Sequence, residues 1–85
     1  LRLEGDFRAG PGPRFVIYLN TRAVGEERDF LADRGRRAVA PLRAFRGAQN
    51  YALPPGTDIA AVHTVTIWCE SFGVYIGSAA LTPAA

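Results

Sequence analysis

The chain reads as a mostly antiparallel β-sandwich with one short helical or loop insertion. Three observations point there. Short segments alternate apolar and polar side chains with a period of two. β-Branched and aromatic residues fill those segments, and Gly/Pro clusters punctuate the chain between them. With 85 residues, the chain from 1 to 85 makes a single domain.

Leu1 to Phe7 comes first and alternates, with Leu1, Leu3 and Phe7 separated by Arg2, Glu4 and Asp6. Gly10-Pro11-Gly12-Pro13 then forms a turn, because proline cannot donate a ladder hydrogen bond. Phe15 to Leu19 is a strand with Phe15, Ile17 and Leu19 on one face. Gly25 to Arg37 is the insertion. Glu26, Glu27 and Asp29 stand at its front and Arg34, Arg36 and Arg37 at its back, the order a helix dipole favours. Asp33 and Arg37 are spaced as a helical pair, Phe30 and Leu31 anchor one side, and Gly35 is a stop. Ala48 to Leu53 is a short strand closed by a turn at Pro54-Pro55-Gly56. Val62 to Cys69 and Phe72 to Leu81 form a hairpin with a break at Glu70-Ser71. In the second arm Phe72, Val74 and Ile76 share a face, while Gly73 and Gly77 turn away, towards something that approaches closely. The inward set is therefore Phe15, Ile17, Leu19, Leu53, Val65, Ile67, Phe72, Val74 and Ile76.

Composition removes several function classes. The chain is 48% hydrophobic and 21% charged, globular rather than disordered. Its net charge of +2 is too small to imply nucleic acid. No apolar run approaches a membrane span. No signal segment stands before the fold, and the chain opens on Leu1, as a cut or processed product would. All ten basic residues are arginine, the usage of a GC-rich bacterial genome.

Cys69 is the residue to weigh for chemistry. A single cysteine makes no internal disulfide and no zinc site. It shares a strand face with Val65 and Ile67, which suits a packed thiol acting as a small hydrophobe. It also stands near a strand end beside Trp68 and Phe72, which suits a reactive or ligating thiolate. Neighbouring Glu70 opposes thiolate formation, so reactivity would need cations from Arg34–Arg37 or Arg43–Arg46. Both readings stay open. His63 and Cys69 lie on one face but about 20 Å apart along the strand, too far for one metal ion. Glu26, Glu27, Asp29 and Asp33 read as a solvated charged face. Gly10-Pro11-Gly12 lacks the N–H groups of a phosphate cradle.

The C-terminal half resembles the electron-transfer DM-thirteen domain family. Gly47-Ala48-Gln49-Asn50-Tyr51-Ala52-Leu53-Pro54 matches its G-x-Q-x-Y-x-L-P segment. Val65-Thr66-Ile67-Trp68-Cys69, continued by Phe72, Val74, Gly77, Ala79 and Leu81, matches its V-x-I-W-C-x-x-F-x-V-x-F-G-x-A-x-L segment. Upstream, Leu1 to Phe7, Gly12-Pro13 and Val16-Ile17-Tyr18-Leu19 match its opening strands. The resemblance implies a small extracytoplasmic β-sandwich that transfers electrons, in some proteins joined to haem-binding modules. Cys69 would be a bare redox thiol or a cofactor ligand, with haem the group suggested by that company. Trp68, Tyr51 and Phe72 would support it, Trp68 and Tyr51 as shields. A redox protein is the implied partner. The alternative is an extracytoplasmic binding or structural sandwich in which Cys69 is only packed. Three departures stand out: Arg14 replaces an acidic or amide residue, residues 23–40 are longer than usual, and the family's N-terminal hairpin is not seen. Without that hairpin a sheet edge would be exposed or would pair with a second copy.

Overall fold

A computed structural model describes residues 1–5, 14–44 and 47–81, with the Ile59 side chain excluded. The elements are β1 (Arg2–Leu3), β2 (Phe15–Asn20), α1 (Glu27–Ala32), β3 (Arg37–Pro41), β4 (Gln49–Asn50), a 3-10 turn (Ile59–Ala61), β5 (Thr64–Cys69) and β6 (Val74–Ala80). Asp6 and Phe7 of the first expected strand, the Gly10–Pro13 turn and Arg46 lie outside the described residues.

The strands make two antiparallel sheets, β1-β4 and β3-β2-β5-β6. In the larger sheet β2 and β5 are central, and their register sets both faces. Phe15, Ile17 and Leu19 stand opposite Cys69, Ile67 and Val65; Val16, Tyr18 and Asn20 stand opposite Trp68, Thr66 and Thr64. On the first face Phe15, Ile17, Leu19, Val65, Ile67 and Cys69 close with Tyr51 into the main core, flanked by Leu1, Leu3 and Leu53. The small sheet delivers those flanking residues: Tyr51 N–H donates to Leu1 O at 2.7 Å, which ties the chain after β4 to the start of β1. On the second face α1 brings Phe30 against Trp68 and Val24, with Tyr18 and Tyr75 beside them.

The hairpin differs from expectation. Its turn spans Glu70 to Gly73 rather than Glu70-Ser71, and β6 starts only at Val74. Gly73 sits at φ +62°, a left-handed conformation that a side chain disfavours. Phe72 therefore belongs to the turn and is 72% exposed. Val74 (43%) and Ile76 (37%) are exposed as well, against the inward expectation. The register slips at a β-bulge between Ile67 and Trp68, so Tyr75 faces Trp68, Gly77 faces Ile67 and Ile76 has no partner in the ladder, while Val74 stands opposite Cys69. In addition β6 is an edge strand, and no residue of it joins the main core. A Cβ built on Gly73 or Gly77 would meet nothing within 4 Å, so neither glycine admits a close approach.

The insertion holds a helix of six residues, Glu27–Ala32, with no basic residue in its last turn. Arg34 and Arg36 come after it, and Arg37 opens β3, a strand absent from the sequence reading. Phe30 is buried, whereas Leu31 is 52% exposed. Asp33 makes no helical pair with Arg37. It is 2% exposed and takes four hydrogen bonds: Thr21 Oγ1 at 2.6 Å and Gly35 N at 3.0 Å to Oδ1, Thr21 N at 2.8 Å and Asn20 Nδ2 at 3.1 Å to Oδ2. Thr66 Oγ1 donates in turn to Asn20 Oδ1 at 2.6 Å. This acid is a buried knot between insertion and sheet, not part of a solvated face.

Candidate functional site

Strand alternation sorts the expected site residues before any packing is considered. Cys69 is the last residue of β5, paired across the sheet with Phe15 on one side and Val74 on the other. Its side chain is 2% exposed and belongs to the main core with Ile17, Tyr51 and Ile67. Trp68, one residue earlier, necessarily points to the opposite face and stacks on Phe30 with ring centroids 4.4 Å apart. Trp68 therefore does not shield Cys69. Tyr51 does share its cluster. The Tyr51 hydroxyl donates to Gln49 Oε1 and accepts from Arg43 N at 2.8 Å, while the Arg43 guanidinium lies 4.2 Å over its ring. Phe72 is in the exposed turn and touches neither cluster core.

The expected cations divide by face in the same way. Arg43 covers the Tyr51 side, whereas Arg36 lies 5.0 Å over Phe30 on the other face. Glu70, next to Cys69 in the chain, turns outward. Its backbone N–H donates to Arg14 O at 2.9 Å, and its carboxylate accepts the Tyr18 hydroxyl at 2.6 Å. Burial first, then that hydrogen bond and the Glu70 charge, push the Tyr18 phenol above its ordinary pKa, with Arg36 opposing. Arg14, Glu70 and Ser71 line a shallow opening of about 460 Å³ at this end of the sheet. A second cleft of about 200 Å³ lies at the far end of β5, among Leu19, Arg37, Asp58 and Val62.

Cys69 lines neither opening. Among the described residues apolar side chains enclose its sulfur and neither opening reaches it, so these residues do not fit a haem. Among the described residues no group of three or more His, Cys, Asp and Glu side chains could hold a metal ion. His63 stands exposed just before β5, its Nδ1 2.7 Å from Thr64 Oγ1, at the opposite end of the strand from Cys69. No helix of the described residues is long and apolar enough to cross a membrane.

Sequence reasoning missed two features here. The Asn20–Asp33–Thr66 knot left no local signal beyond a polar residue closing each of two apolar runs. The Tyr18–Glu70 contact joins residues 52 apart, and no spacing rule reaches that far. The family model described as Electron transfer DM13 matches residues 1–81. No curated protein and no solved structure matches the chain.

Proposed function

The chain belongs to the electron-transfer DM-thirteen family, and from that premise we propose an extracytoplasmic module that passes electrons to and from a redox partner, with Cys69 as its centre. The observation that carries the reading is the position of Cys69. It closes β5 and is followed directly by the exposed turn, which supports exit of an electron at this strand end. Exposed Phe72 and Val74 supply an apolar surface beside it for the partner.

A second reading is favoured by the burial of the same thiol. A side chain 2% exposed in an apolar cluster suits a packing residue of a binding or structural sandwich. The exchange Cys69→Ser separates the two. Under either reading a buried hydroxyl without a partner lowers stability by about 1–3 kcal/mol in thermal melts. Film voltammetry decides between them: the electron-transfer centre predicts a reversible wave in the parent protein that the serine variant lacks. An unaltered wave, or none in the parent, assigns Cys69 to packing.

A further inference from the structure

Tyr18 is built into the fold as no surface tyrosine needs to be. It sits mid-strand in β2, half-buried, with its ring edge-on to Phe30 at 5.0 Å and 87°. Phe30 stacks in turn on Trp68 at 4.4 Å and 18°. Three aromatic rings thus run without a gap from Tyr18 to the strand that carries Cys69. At the outer end the hydroxyl donates to Glu70 Oε1 at 2.6 Å, the short distance of a hydrogen bond to an ionised acceptor. The charged groups acting on the phenol are Glu70 after β5 and Arg36 beyond α1; Arg14 lines the shallow opening with Glu70.

A phenol that loses an electron becomes a far stronger acid, so its oxidation is fast only where the proton has a ready destination. Glu70 Oε1 is that destination. We propose that Tyr18 and Glu70 form a proton-coupled one-electron relay, with the Phe30–Trp68 stack as its inward connection. In the step, Tyr18 gives one electron to a one-electron oxidant of the metal-complex class, and the oxidant is reduced by one. The O–H bond breaks, the proton forms a new O–H bond on Glu70, and a neutral tyrosyl radical faces a neutral carboxylic acid. Return of one electron from a donor reverses every change. This rests on the electron-transfer reading but makes no use of the Cys69 sulfur.

The test is flash-quench oxidation with photogenerated tris(bipyridine)ruthenium(III), which needs no native partner, following the tyrosyl band in the parent, Tyr18→Phe and Glu70→Gln proteins. The expected result is a fast tyrosyl phase, slower in deuterium oxide. Tyr18→Phe abolishes it, and Glu70→Gln slows it on the order of a hundredfold, the lower end of what a positioned base contributes. Glu70 is exposed, so its amide variant keeps the fold. An unaltered rate in Glu70→Gln, or an equal phase in Tyr18→Phe arising from Tyr51 or Tyr75, overturns the relay and leaves the family function standing. The expected phase in a protein that exchanges electrons with no partner keeps the relay and removes the functional reading instead.

Discussion

Asp33 shows how one residue's environment changes its meaning. In the sequence it is one of four acids in a charged stretch; in the fold it is an acceptor for four donors from Asn20, Thr21 and Gly35. Burial alone would raise its pKa, but the hydrogen bonds from Thr21, Asn20 and Gly35 outweigh that and hold it below the ordinary carboxylate value. A depressed folded-state value contributes stability that is present above the unfolded pKa of about 3.9 and is lost as pH falls through the lower folded value. Melting temperature should therefore decline below about pH 4 in the parent and decline less in Asp33→Asn. At neutral pH that variant should be less stable by about 1–3 kcal/mol, since an amide cannot accept all four bonds. Equal acid sensitivity in both proteins would show that the knot is not what protonation breaks. None of this was legible locally, because the donors come from a strand end 12 or 13 residues away.

At the scale of elements, a short helical or loop insertion and a last strand were foreseen, yet α1 and β6 each owe their position to something remote. Six residues are too few for a helix to persist alone, so α1 depends on Phe30 buried against Trp68 and Tyr18. Phe30→Ala should cost about 3–5 kcal/mol and release the segment, so that an arginine-specific protease cuts early at Arg28 or Arg34. In the parent those sites should resist, because Val24 before the helix, Phe30 within it and Asp33 at its end dock the segment. Phe72→Ala is the control. That ring lies in solvent, and its loss should change stability by no more than about 0.5 kcal/mol. Paired urea titrations measure both, and a large loss in Phe72→Ala would restore the inward placement. The reading of β6 failed because Phe72 falls in the turn and facing alone does not bury an edge strand. The bulge at Ile76 sets Val74 opposite Cys69, on the face of the main core, yet Val74 stays exposed at the start of this edge strand. Similarly β3, Arg-Ala-Val-Ala-Pro, shows no alternation to detect; it is an edge strand ending in proline, paired to β2 through its own irregularity.

The whole molecule is held by contacts distant in sequence. β1 pairs with β4, and β2 with β5, so the lid over the main core is supplied by the opening residues of the chain. Leu3 packs half-buried against the cluster that holds Cys69. Leu3→Ala should lower stability by about 2 kcal/mol and speed labelling of Cys69 by a thiol reagent under native conditions. Lowered stability with unaltered labelling would place the route to the sulfur elsewhere, at the open end beside Val74. Sequence alone determined the mostly β class, the two central strands with their facing residues, the short insertion and the family, because these rest on side-chain period, turn chemistry and ordered motifs within a few residues of each other. It also placed Cys69 with Val65 and Ile67, since alternation along an unbroken strand is geometry. Only the tertiary structure decided what each face of the sheet meets. Thr64, Thr66 and Trp68 alternate as an exposed face would, yet all are buried, because the insertion folds back over them with Phe30 and Asp33. The same closure stacks Trp68 on Phe30, and the pairing of β2 with β5 brings Tyr18 to Glu70. Such meetings depend on which surfaces the whole chain buries together, and no local pattern encodes them.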